Sequence, residues 1–147
     1  MTIERDRPTQ ILLVEDNPGD VRLTIEAFKD GQVKTNLDVV NDGVEALAYL
    51  YKKDKYRNAP RPDVIILDLN LPKKDGREVL EEIKTHRNLR RIPVVILTTS
   101  QAEEDIRRAY DLHVNCYIMK PIDFDQFVKV VKSIEDFWLT VVKLPKA

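Results

Sequence analysis

Five times along this chain a short run of Ile, Val and Leu gives way to a longer stretch whose apolar residues recur at helical spacing. The runs are QILLVE, NLDVVN, DVIILD, VVILT and NCYIM. Short branched apolar runs bounded by turn residues predict strands, and the stretches between them predict helices. Runs with little polar alternation suit strands covered on both faces. Strand–helix alternation of this kind builds one parallel sheet with helices on both sides, and right-handed crossovers leave few ways to order it. The fold class is α/β, doubly wound.

The helices can be placed from caps and periodicity. The first follows the turn NPGD, capped by Asp16 or Asn17, and turns Val21, Leu23, Thr24, Ala27 and Phe28 inward. The second presents Val44, Ala46, Leu47, Leu50 and Tyr51. DKYRNAPRP then reads as a connecting loop. The third helix starts near Asp75 and Gly76 and carries Val79, Leu80 and Ile83; HRNLRRIP after it is a basic connector. The fourth runs from about Ala102 to Leu112, and the last from near Asp123 to about Trp138, with Phe127, Val131, Ile134 and Trp138 on the sheet.

A chain of 147 residues suits one domain, and its net charge of −1 supplies no global basic field for nucleic acid. The polar start MTIERDRPTQ lacks an apolar signal core, and no run is long enough to span a bilayer, which predicts a cytoplasmic protein. One cysteine, Cys116, excludes an internal disulfide or a multi-cysteine metal site and reads as a small core residue. His86 and His113 fall at helix ends and read as surface residues.

The third run, VIILDLNLPKKDG, ends a strand that looks fully buried with a carboxylate, Asp68. A charge there is expensive unless something pairs with it. Open parallel sheets bind ligands beyond the carboxyl ends of their strands. Those ends carry Glu15 and Asp16, Asp68 with Asn70 nearby, Thr98 with Thr99 and Ser100, and Lys120 before Pro121. Taken singly, each is an ordinary cap, turn residue or solvated lysine. Together they make a set. Carboxylates crowded into one site raise one another's pKa unless a cation joins them, and an all-oxygen set favours Mg²⁺ or Mn²⁺. A lysine and a hydroxyl beside such a site suit phosphoryl transfer with Asp68 as nucleophile.

From about Gln10 to Phe137 the chain resembles the receiver domain of two-component response regulators, on LLVEDNPGD, NDGVEAL, DVIILDLNLPKKDG, PVVILTTS and CYIMKPID. The resemblance implies a flavodoxin-like five-stranded sheet of order 2-1-3-4-5 and a single domain over residues 1–147, with 138–147 as an extension. It implies that Asp68 accepts a phosphoryl group from a histidine kinase. It implies Mg²⁺ held by Asp16, Asp68 and the Asn70 backbone carbonyl, with Glu15 acting through water. Thr98 and Lys120 would bind the phosphoryl group, Tyr117 would be the switch aromatic, and Pro121 would follow a cis bond. The loop YKKDKYRNAPRP, the turn LPKKDG and the tail DFWLTVVKLP further resemble the small regulators paired with cyanobacterial phytochromes, which implies a phytochrome-type kinase.

Two competing classes are open to test. An aspartyl-nucleophile phosphohydrolase resembles a pattern with a second aspartate two residues on, where this chain has Asn70. A degenerate adaptor receiver would lack an acid or the lysine, and here all are present. No DNA-binding motif follows the receiver region, so the expected output is a surface change on the fourth helix, fifth strand and fifth helix, read by a downstream protein. Apolar residues beyond the usual domain end (Phe137, Trp138, Leu139, Val142) together with Tyr117 suggest a homodimer on that face. The alternative is a tail folded back on its own domain.

Overall fold

The computed structural model describes residues 8–31, 34–120 and 123–135. Its strands are β1 (Thr9–Val14), β2 (Thr35–Val40), β3 (Val64–Leu67), β4 (Val94–Thr98) and β5 (Cys116–Met119). Its α-helices are α1 (Pro18–Lys29), α2 (Gly43–Leu50), α3 (Gly76–Thr85), α4 (Glu103–Asp111) and α5 (Phe124–Ile134), with a short 3₁₀ turn at Asp54–Tyr56. All strand pairs are parallel, in the order β2-β1-β3-β4-β5, as expected. Among the described residues no helix is long and apolar enough to cross a membrane.

The central strands are apolar on both faces because alternate residues serve two cores. Leu12, Val14, Ile65, Leu67, Val94 and Ile96 pack against α2, α3 and α4. Ile11, Leu13, Val64, Ile66, Val95 and Leu97 pack against α1 and α5, through Ala27, Phe28, Phe127 and Val131. A period of two therefore sorts one strand's side chains into two layers. The edge strands are less covered: β2 alternates half-buried and exposed positions, and β5 is half-buried with Met119 exposed. Cys116 accordingly lies at the margin of the core, half-buried, rather than inside it.

One helix face, that of α2, differs in detail from expectation. Val44 stands 53% exposed, and Tyr49 is buried in its place. The Tyr49 hydroxyl reaches Asp38 Oδ2 at 2.6 Å, so the ring can enter the layer without an unsatisfied polar group. The expected end of the last helix near Trp138, together with Pro121, Phe137, Leu139 and Val142, lies outside the described residues.

Caps fix where α1, α2, α3 and α5 begin. Asn17, Asp42, Asp75 and Asp123 each accept a backbone N–H from the first turn. Ala102 gives α4 no such cap. At the start of α3, Gly76 sits so close to β3 that a Cβ would lie 2.2 Å from the Asp68 carbonyl oxygen and 2.6 Å from Leu69 Cα. Those are backbone atoms of the strand end, so relief requires moving α3 or the turn. Gly76→Ala is expected to destabilise the protein by about 1–3 kcal/mol, read as a lower urea midpoint with an unchanged slope.

Candidate functional site

The backbone ladders carry past the strands and place the polar ends. Glu15 N–H donates to Val40 O at 3.0 Å, Asp68 N–H to Val14 O at 3.0 Å, and Lys120 N–H to Thr98 O at 2.8 Å. Glu15, Asp68 and Lys120 thus leave the same edge of the sheet, with Asp16 following Glu15 and Thr98 closing β4. All five come together there, although Asp16 is exposed while the others are buried.

Lys120 is the hub. Its Nζ lies 2.6 Å from Glu15 Oε1, 2.9 Å from Asp20 Oδ2 and 3.1 Å from Asp68 Oδ2. Burial alone would lower its pKa, but the hydrogen bonds to Glu15 and Asp20 and the Asp68 and Glu15 charges lift it above the ordinary lysine range. Burial pushes the Glu15 carboxyl the other way, up to about 7; Lys120 opposes this shift and Asp68 adds to it. The Asn17 N–H donates to Glu15 Oε2 at 3.2 Å, and Asn41 Nδ2 donates to its backbone carbonyl at 3.0 Å.

Glu15, Asp16 and Asp68 each offer a carboxylate oxygen within 4.8 Å of the others. An all-oxygen donor set of this charge fits a hard divalent cation, Mg²⁺ or Mn²⁺, whose ligands lie about 2.0–2.1 Å from the ion in the magnesium case. Asp68 Oδ1 also accepts the Asn70 N–H at 3.0 Å, which draws the turn after β3 tight.

Thr98 and Tyr117 are the residues expected to form the switch. Thr98 is fully buried, and its Oγ1 accepts from Asn70 Nδ2 at 3.3 Å and from the Ser100 N–H at 3.4 Å. The Tyr117 hydroxyl donates to the Ser100 carbonyl at 3.0 Å. Sequence reading did not single out Asp20, Arg77 or Asp105. Asp20 lies in the first turn of α1, four residues after Asp16, which precedes the Asn17 cap. Arg77 grips Asp105 by two bonds, Nε at 2.8 Å and Nη2 at 2.7 Å, a contact between α3 and α4 with no local signature. Those bonds, with help from Ser100, hold the Asp105 carboxyl down at about 2.

This sheet with this acidic edge defines a class, and comparison with known proteins agrees. Residues 11–132 match the response regulator receiver domain, and the chain belongs to that family. It is 50% identical to response regulator Rcp1 of Synechocystis sp. over 147 residues, the whole of both chains. The phosphorylated cyanobacterial phytochrome response regulator RcpA is similar in structure, with a TM-score of 0.87 and 54% identity over 95% of this chain and 100% of that one. So is the Mn²⁺-bound form of Rcp1, with a TM-score of 0.86 and 51% identity over the same shares.

A folded-state Glu15 near pH 7 binds a proton that the unfolded chain has released above about pH 4.5. Its contribution to stability is therefore present at low pH and lost as pH rises toward 7. Without divalent metal, wild-type stability measured relative to Glu15→Gln should decline between pH 4.5 and 7 in urea titrations. A separate expectation concerns metal: Asp16→Asn should weaken Mg²⁺ binding roughly tenfold or more, about 1.4 kcal/mol, by calorimetric titration.

Proposed function

We propose that the chain is a stand-alone response regulator, one receiver domain over residues 1–147, that takes a phosphoryl group on Asp68 from a histidine of a partner kinase. The observation that carries this reading is the Asp68 carboxylate: only 6% exposed, beside Glu15 and Asp16, and 3.1 Å from the Lys120 ammonium. In the transfer the donor's P–N bond breaks, its electron pair stays on the imidazole nitrogen, and a carboxylate oxygen of Asp68 forms the new P–O bond.

Asp16, Asp68 and the Asn70 backbone carbonyl would hold Mg²⁺, with Glu15 contributing through a bound water. The bound ion offsets negative charge where the phosphoryl group meets the carboxylate. Lys120 is already aimed at that oxygen and moves its charge to the phosphoryl group after transfer. Thr98 turns its hydroxyl from Asn70 toward a phosphoryl oxygen. Tyr117, packed against the core with its hydroxyl on the Ser100 carbonyl, would be the aromatic that follows Thr98.

Similarity to Rcp1 and to RcpA, a cyanobacterial phytochrome response regulator, supports a phytochrome-type kinase as donor. The output reading is a homodimer on the face of α4, β5 and α5. Tyr110, Met119 and Phe124 stand 49%, 45% and 39% exposed on these three elements, a set of large apolar groups suited to an interface. The reading places the protein in the cytoplasm, where a histidine kinase presents its phosphohistidine.

Phosphate incorporation from a small acyl phosphate with Mg²⁺ tests the central step. Wild type should incorporate up to one phosphoryl group per chain by intact mass, chelation of the metal should stop it, and Asp68→Asn should take up none. Sustained turnover of small phosphate esters would instead favour the hydrolase class.

A further inference from the structure

Strand β2 is an edge of the sheet, and among the described residues its backbone pairs with β1 alone. Thr9 N–H donates to Lys34 O and Glu15 N–H to Val40 O, so the even-numbered positions of β2 face β1. Alternation along the strand then turns the backbone N–H and C=O groups of Thr35, Leu37 and Val39 outward. Asn36 and Asp38 share a face with the buried Val40 yet are exposed. Beside this edge, beneath the chain that follows α2, lies a recess of about 390 Å³. Asp38 and Val39 line one side of it, and Tyr49, Tyr56 and Asn58 the other. Val39 sends its side chain to the opposite layer, so its place in the lining means that the recess opens onto the outward backbone of the strand.

The chemistry of the recess is specific. The Tyr49 and Tyr56 rings meet at a tilt with centroids 5.4 Å apart and supply its apolar part. Lys55 also lines it, but that ammonium is paired with Glu45 Oε1 at 3.3 Å. Asp38 is not neutralised: the Tyr49 hydroxyl fixes Oδ2 at 2.6 Å, and Oδ1 has no hydrogen-bond partner among the described residues. The chain over the recess takes left-handed backbone at Lys52 (φ 55°) and Asp54 (φ 53°), which is strained in residues other than glycine. We propose that the recess binds an arginine side chain carried on an extended segment of a partner protein, which adds a strand to the open edge of β2. Main-chain bonds to Thr35, Leu37 and Val39 hold such a segment, and the side-chain recess selects it. In either strand direction a residue set opposite Asp38 projects to the face that carries Asp38. Its guanidinium takes the free Asp38 oxygen, and the flat face of the group lies against the tyrosines. The site uses none of the acidic-edge residues, so the proposal stands independently of phosphoryl transfer to Asp68.

The test titrates the protein with a short capped peptide, arginine at its centre and threonine and valine alternating on either side, while backbone amide resonances are followed. The amides of β2 and those around Tyr56 and Asn58 should move together and saturate. The same peptide with glutamine at its centre should bind roughly tenfold more weakly. Capped arginine without flanking residues should also lose roughly tenfold, because it forms no main-chain bonds to the edge. In Asp38→Asn the new amide oxygen can still accept the Tyr49 hydroxyl, and the preference for arginine over glutamine should shrink to about twofold or less. Unmoved β2 amides, equal affinity for the arginine and glutamine peptides, or movement confined to the acidic edge at Glu15, Asp16 and Asp68 would each overturn the site. Capped arginine binding as tightly as the peptide would overturn the added strand, and an undiminished preference in folded Asp38→Asn would overturn the role of Asp38. The titrations of wild type decide the matter even where Asp38→Asn does not fold.

Discussion

An ammonium group only 7% exposed dictates much of what surrounds it. Taking a charge out of water costs several kcal/mol unless partners compensate. Lys120 meets that cost with Glu15, Asp20 and Asp68. Strands lie about 4.8 Å apart, and β5 is separated from β3 by one strand and from β1 by two. The contact therefore needs a long lysine stem reaching back over β4, and from β1 a glutamate rather than a shorter acid. Burial pushes Glu15 toward the neutral form, and the nearby Asp68 charge adds to it, because the set carries more negative than positive charge. That excess is what a divalent cation relieves.

The doubly wound arrangement makes such a site possible. With α1 and α5 on one face and α2, α3 and α4 on the other, both faces of the central strands are closed to water. Charge is tolerated only at the edge where the strands end. Close approach of α3 to β3 at Gly76 fixes the turn after Asp68 from below. The β4–α4 connection is held differently, by side-chain bonds among Asn70, Ser100, Asp105 and Arg77. Side-chain bonds can be exchanged at modest cost, whereas backbone packed against backbone cannot. One wall of the site is therefore rigid and the other can move.

The strands were legible because burial on both faces leaves an unbroken apolar run, and the edge that gathers Glu15, Asp68, Thr98 and Lys120 follows from the topology alone. Helix α2 was read less accurately. Val44 matches the apolar spacing yet faces solvent, and Tyr49 is buried because Asp38 on β2 can satisfy its hydroxyl. Periodicity cannot show a partner on another element. The same holds for Arg77 and Asp105, which lie 28 residues apart and each look like an ordinary surface charge on an amphipathic helix. Asp20 was within reach of sequence reasoning, since it is an acid in the first turn of α1, just after the strand end that carries Glu15 and Asp16. What singles it out is the ammonium arriving from β5, a contact across 100 residues of chain.

The central claim is that the buried carboxylate beside Lys120 is the phosphoacceptor. It is tested most directly by locating the modification itself. An acyl phosphate on an aspartate is reduced by borohydride to homoserine, whereas free carboxylates and phosphoesters are not. Protein treated with an acyl phosphate and Mg²⁺, reduced and then sequenced by mass spectrometry should carry homoserine at position 68. Homoserine at another acid of the cluster, such as Asp16, or no homoserine in protein that has bound Mg²⁺, would contradict the account.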